Sequence, residues 1–187
     1  MAKATSTTKP ALLPILQMGN PVLAQRSRNM KLADIKHPGT KKLVEEMFYT
    51  VRKVNGVGLA APQVGQLVRL AVVDIRPTKL RPRLKIVKKK IFINPRILKT
   101  WPKKADGWEA CLSFMNFAKV PRFQQLTVEY DNLNGQRTTE TLRGLEARVF
   151  QHELDHLNGI LFVERVKNMR TMMVASEFEK RVRSKRN

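Results

Sequence analysis

Two of the chain's three histidines stand one helical turn apart in QHELDH, Gln151–His156, with a glutamate between them. This is the H-E-x-x-H arrangement of a metal-dependent hydrolase. On a helix, His152 and His156 project from one face and can share one divalent ion. Glu153 points about 100° away from His152. It can reach a water beside such an ion without being a ligand, which suits a general base. Leu145, Arg148 and Val149 lie on the same side toward the helix start and can line a pocket beside the ion. Chance spacing on a helix is the competing explanation, weakened by the scarcity of histidine. Two imidazoles leave a catalytic site one protein ligand short. The candidates for the third are Cys111, His37, Glu140, Glu146 and the downstream Glu164, Glu177 and Glu179. A Cys111 thiolate would suit ferrous iron or zinc.

The elements that must position these groups can be read from periodicity. Gly144–Leu157 reads as the helix carrying both histidines, stopped by Asn158-Gly159. Lys41–Val54 reads as a helix, with Leu43, Val44, Met47, Phe48, Val51 and Val54 at helical spacing. The small-residue loop GVGLAAPQVG follows, and Leu67–Ile75 reads as a strand. Ile91–Ile93 and Ile97–Leu98 around Asn94-Pro95 predict a strand, a turn and a second strand. Leu126–Asp131 and Gln136–Leu142 around Asn134-Gly135 predict a hairpin. Asn168–Arg183 reads as a basic amphipathic helix whose apolar side holds Met169, Met172, Met173, Phe178 and Val182. Strands grouped around a central helix predict an α+β class with antiparallel sheets.

At 187 residues the chain suits one domain: a catalytic unit over 1–166 and a helical extension of it over 167–187. No apolar run approaches the roughly 18 residues of a membrane span, so no membrane partner is expected. The single cysteine excludes an internal disulfide framework and suits a reducing compartment. The start lacks the apolar run and cleavage site of a secretory signal. Its Ser/Thr/Lys-rich composition leaves a mitochondrial or plastid transit segment as the alternative to a bacterial cytoplasmic protein. The balance of 36 basic against 15 acidic residues gives +21. Such a field favours polyanions such as RNA; a generally basic proteome is the plainer explanation. The charge gathers in Arg76–Lys90, an expected exposed loop or hairpin, and in the C-terminal extension.

Three motifs in order resemble the peptide deformylase family: GVGLAAPQ (Gly56–Gln63), EACLS (Glu109–Ser113) and QHELDH. Softer matches at MGNPVLAQ, INP, VPR and NGILF extend the resemblance over roughly residues 14–166. It implies that Cys111, His152 and His156 bind a catalytic metal, natively Fe2+, with Zn2+, Ni2+ or Co2+ able to substitute. It implies Glu153 as general base and acid, and Gln63 with the backbone N–H of Leu112 as oxyanion donors. Val57 and Gly58 would pair with the substrate backbone, and Glu109, Ala110, Leu145, Arg148 and Val149 would line its cleft. The implied reaction removes formate from N-formyl-methionyl nascent peptides. The implied partner is the ribosome, reached by a monomer through its basic C-terminal helix and the Arg76–Lys90 loop.

Arg122, Glu109 and Asp155 are expected to form an ionic network bracing the metal loop against the helix. The sequence departs from the family pattern at Ala110, where glycine is usual; a positive φ there would cost about 1–2 kcal/mol. It departs again at Phe114, Met115 and Phe117, where the cleft would be reshaped. These departures are the only support for a rival reading, an RNA-binding protein on the same scaffold with catalysis lost. A zinc endopeptidase is weaker, because nothing downstream of His156 resembles its usual third ligand.

Overall fold

The helical recurrence of apolar residues after His37 forms α2, Pro38–Lys53. Proline at its start has no N–H to leave unsatisfied. His37 caps it, Nδ1 accepting from Gly39 N at 3.0 Å, which removes this exposed histidine from the ligand candidates. Val44, Met47 and Val51 are buried against Leu59, Leu70 and Val72. Each such side chain contributes roughly 1.5–3 kcal/mol.

The computed structural model describes residues 9–78 and 82–184, the side chains of 182–184 excepted. Besides α2, the elements are α1 (Leu32–Lys36), β1 (Gly58–Ala60), β2 (Leu70–Val73), β3 (Lys90–Thr100), β4 (Lys104–Cys111), β5 (Phe114–Phe123), β6 (Gln125–Asp131), β7 (Arg137–Arg143), α3 (Gly144–Leu157), β8 (Met173–Val174) and α4 (Ala175–Ser184). Two antiparallel sheets result, one in the order β1-β2-β3-β6-β7 and one in the order β4-β5-β8. The helix α3 touches strands of both. The fold is α+β, as expected.

The expected helix over Gly144–Leu157 and the β6–β7 hairpin are both present. The turn between Ile93 and Ile97 is not: β3 runs through Asn94-Pro95 as one strand. Asn94 takes φ 51° at an irregularity in the pairing with β6. A bulge absorbs the asparagine and the proline without reversing the chain. Asn94 is held there because its side chain accepts from Met30 N at 2.8 Å and donates to Met30 O and Asp131.

The expected C-terminal helix is also corrected. Its first part is a 3-10 turn, Met169–Thr171, and then β8, whose Met173 pairs with Phe117. Only from Ala175 does the chain turn helical. The imperfect helical spacing of the methionines reflects this switch, because Met173 lies in a strand and Met172, between the turn and that strand, packs against the cluster of Cys111, Ala118, Val120 and Phe162. The side chain of Val182 lies outside the described residues. So do Lys79, Leu80 and Arg81 of the basic stretch, whose flank folds back with Val87 N donating to Ile75 O at 2.9 Å.

The hairpin β4–β5 had no sequence signal. Its turn, Leu112-Ser113, lacks the usual turn residues. Gly107 and Pro121 interrupt its strands, Pro121 pairing with Asp106. In this sheet Glu109 and Cys111 alternate inward together, and so do Ala118, Val120 and Arg122 on the facing strand. A register shift after Ala110 leaves Met115 and Asn116 of β5 without partners on β4, next to the turn.

Candidate metal centre and active site

The inward face of β4 and the buried face of α3 bring three donors together. Ligand atoms of Cys111, His152 and His156 all lie within 4.8 Å of one another. Cys111 Sγ is 3.2 Å from His156 Nε2. All three residues are buried. His152 Nδ1 lies 3.0 Å from Glu109 Oε2. A carboxylate can only accept there, so Nδ1 carries the hydrogen and Nε2 is the ring nitrogen left to face an ion. Burial pushes the Cys111 thiol up, but the imidazoles of His156 and His152 outweigh it and hold the thiol well below its ordinary value. Ser113 N also donates to the sulfur at 3.4 Å. A thiolate and two imidazoles, buried and converging, are a donor set that fits a borderline-soft divalent ion.

Four of the other ligand candidates, Glu140, Glu146, Glu164 and Glu177, are engaged elsewhere. Lys90 Nζ bridges Glu140 and Glu146 at 2.5 and 2.6 Å. Glu164 Oε1 accepts from Leu161 N, and Glu177 pairs with Lys180 on the surface.

The expected ionic network exists and is larger than foreseen. Arg122 Nε and Nη2 donate to the two oxygens of Glu109 at 3.0 Å each, and Nη1 donates to Asp155 at 2.5 Å. Arg165 grips the far side of Asp155, with Nη2 2.8 Å from Oδ1. Arg148 Nη1 donates to Glu109 at 2.8 Å and to Val120 O, and its Nη2 donates to Ala105 O. Burial pushes the Glu109 carboxyl up, but hydrogen bonds from His152 and Arg122 outweigh it and hold it at about 2. Glu109 is thereby ionised, and both carboxylates are paired with arginines inside the protein.

Gln63 is buried in the turn after β1. Its Oε1 accepts from Ala60 N at 2.9 Å. Its Nε2 donates to Ser113 Oγ at 3.1 Å and faces Cys111 Sγ at 3.5 Å. The amide is therefore oriented, with its donor end toward the thiolate. The segment before the first 3-10 turn straps both loops. Leu16 N donates to Gln63 O, Met18 N to Ser113 O, and Gln17 Nε2 to Leu112 O at 3.2 Å. Sequence reasoning missed this strap because Leu16, Gln17 and Met18 form no chemical motif, and two of the three contacts use only their backbone N–H.

Glu153 sits across from the donors. Burial raises its carboxyl to about 7 against the pull of both imidazoles. Its Oε2 is buried with no hydrogen-bond partner among the described residues. A groove leads to these groups, lined by Val57, Gly58, Glu109, Ala110, Leu145, Arg148 and Val149.

A family model described as Polypeptide deformylase matches residues 12–172. Peptide deformylase 2 of Nostoc sp. is 38% identical over 174 residues, 92% of this chain and 96% of that protein. The Roseiflexus castenholzii peptide deformylase is 41% identical, covering 88% of this chain and 94% of its own. A class I type b peptide deformylase from Acinetobacter baumannii, solved with Met-Ala-Ser bound, superposes with TM-score 0.82 at 33% identity over 84% of this chain and all of that one. This chain belongs to the polypeptide deformylase family.

As a peptide deformylase it is a metal-dependent hydrolase that removes the N-formyl group of nascent polypeptides. The geometry revises two readings of its motifs. Gly58 is glycine because of its own neighbour: a Cβ there would overlap Glu153 Oε1 and press on Val149. Gly58→Ala is expected to displace the Glu153 carboxylate and lower kcat about a hundredfold with ion content unchanged. Formate release against metal analysis checks this. Ala110 is unstrained, because the non-glycine residues at positive φ among the described residues are Asn55 and Asn94. Ala110→Gly should lower stability by about 0.5–1 kcal/mol, through added chain entropy in a strand, and should not raise turnover. Urea unfolding beside an activity assay measures both. The share of the support for a catalytically dead scaffold that rested on Ala110 disappears with that strain.

Two further residues of the active-site frame carried a faint signal. Gln151 opens the histidine motif, and its amide clasps Phe123 N, Phe123 O and Ala147 O, joining α3 to the end of β5. Arg76 begins the basic stretch but turns inward, donating to Gly56 O at 2.7 Å. It thus steadies the edge of the groove.

Proposed function

We propose that this deformylase uses iron(II) held by Cys111, His152 and His156, with Glu153 as general base and acid. The observation that carries the reading is the convergence of three buried donors beside a buried carboxylate whose one oxygen is unpartnered. A divalent ion at these donors supplies a Lewis acid and lowers the pKa of water bound to it.

Glu153 takes the proton of the attacking water as the formyl carbon becomes tetrahedral. Gln63 Nε2 and the Leu112 N–H donate to the developing oxyanion; one such donor is typically worth about 3–4 kcal/mol. Glu153 then returns the proton to the leaving amine, and formate departs. β1 is an edge strand of its sheet, so an extended peptide can add alongside Val57 and Gly58. Ala110, Leu145 and Val149 form the apolar cleft for the methionine side chain. Glu109 and Arg148 act on substrate through position, since their charged groups hold His152 and β4.

The test is formate release from formyl-Met-Ala-Ser by anaerobically prepared protein, stripped with a chelator and reloaded with Fe2+, Zn2+, Ni2+ or Co2+. Turnover restored best by Fe2+ and lost in air is expected, since a ferrous thiolate oxidises. Equal activity with Zn2+, stable in air, would reject iron.

The same reading places the protein as a monomer in a bacterial cytoplasm, at the ribosome. Its support is the charge of the C-terminal extension and of Arg76–Lys90. No helix among the described residues is long and apolar enough to cross a membrane. Co-sedimentation with ribosomes should weaken steeply with added salt; no binding at any salt concentration removes this part.

A further inference from the structure

The last helix touches the groove through aromatic rings. Phe178 of α4 is buried, 5% exposed. It stacks on Phe117 with centroids 3.9 Å apart and planes 2° apart, and meets the Trp108 ring edge-on at 5.4 Å. Phe117 and Trp108 both line the substrate groove, with the exposed Met115 beside them. The register explains the grouping. Ala110 pairs with Phe117 and Trp108 with Lys119, so these four share one face of the β4–β5 hairpin. Helix α4 lies on that face, and β8 ties its start to β5. Two cations flank the Trp108 ring, Lys119 Nζ at 5.7 Å and Arg181 at 5.4 Å from its centroid.

The distance from the donors says what this wall can meet. Trp108 is three residues up β4 from Cys111, roughly 10 Å at the rise of a strand. An extended substrate whose formyl carbon lies at the donors covers that distance in about three residues. The aromatic wall therefore stands beside the second and third residues of the substrate, beyond the methionine.

We propose that Phe178 is a positioning residue for specificity: from the C-terminal helix it sets Phe117 and Trp108 as a wall that accepts apolar side chains at the second and third substrate positions. The flanking Lys119 and Arg181 disfavour lysine or arginine at those positions. The proposal rests on the donors holding the formyl end, as given under the proposed function. It also gives the C-terminal extension a part in substrate choice that does not depend on docking.

The test compares wild type with Phe178→Ala and the milder Phe178→Leu, all loaded with the same metal, on three substrates. These are formyl-methionine amide, formyl-Met-Leu-Leu and formyl-Met-Lys-Lys. Wild type should favour the leucine peptide over the lysine peptide. Phe178→Ala should raise KM for the leucine peptide about three- to tenfold, the scale of a lost aromatic pair, and leave kcat and the amide substrate unchanged. Phe178→Leu should fall between them, and it serves alone if the alanine variant does not fold. A uniform change on all three substrates, or lower thermal stability with unaltered KM ratios, overturns the proposal. Failure of wild type to deformylate any of the three would instead reject the active-site reading beneath it.

Discussion

Replacing Glu153 with glutamine is expected to lower kcat by about 10²–10⁴-fold while the protein keeps its fold and its metal. Glutamine keeps the shape of the side chain and loses only the capacity to take and return a proton. The three donor residues are untouched, so metal content should match wild type. The pH dependence separates this role from a structural one. Burial raises the Glu153 carboxyl to about 7, against His152 and His156. A cation at the donors favours the ionised form and moves the value down. The base must be deprotonated to act, so wild-type kcat/KM should fall as pH drops, along a limb at or below pH 7. The glutamine variant's residual rate should lack that limb. A variant that retained wild-type turnover, or retained the limb at reduced rate, would remove Glu153 from the chemistry.

Arg122→Ala is the change expected to affect stability most. Arg122 is buried between Glu109 and Asp155. Removing it leaves two carboxylates in the interior, with Arg148 and Arg165 as their remaining partners. Breaking a buried pair from one side typically costs about 3–5 kcal/mol. The damage should extend to the ion, because Glu109 orients His152 through Nδ1; loss of such a partner typically weakens metal affinity about 10–100-fold.

Acid unfolding supplies the sign. Glu109 is held at about 2, below its ordinary 4.5. Its contribution to stability is therefore complete above about pH 4.5 and drains away as pH falls toward 2. In Arg122→Ala that depression shrinks, and acid unfolding should begin at higher pH. Urea unfolding across pH and chelator competition measure the two effects. Unchanged metal retention would confine the network to a structural role.

Much of the active site was legible because its chemistry is local. The spacing of His152, Glu153 and His156 is a property of one helix, and helical geometry alone puts the two imidazoles on one face. Spacing left seven candidates for the third donor, and it was the resemblance of the ordered motifs to the family that implied Cys111. The boundaries of α3 were legible too, since Gly144 and Asn158-Gly159 punctuate it. Arg122, Glu109 and Asp155 could be paired in advance because buried charges near a metal need partners.

What the sequence by itself determined was the family and the reaction that goes with it; the ligand set and Glu153 as base remain the reading proposed above. The tertiary structure decided how those groups are held. The β4–β5 hairpin carries no local turn signal and exists because its inward face completes the interior around α3. The alternation of β4 turns Cys111 inward together with Glu109. Gly58 read as a residue that lets a peptide approach, yet a non-local neighbour, Glu153, forbids its side chain. Glu109 and Arg148 read as groove residues; they line the groove and also belong to the ionic network, because carboxylate and guanidinium groups this far inside must be paired. The C-terminal segment read as one helix, and the open edge of β5 turned its first residues into a strand. Periodicity reports what a segment favours alone; contacts between residues distant in sequence set the rest.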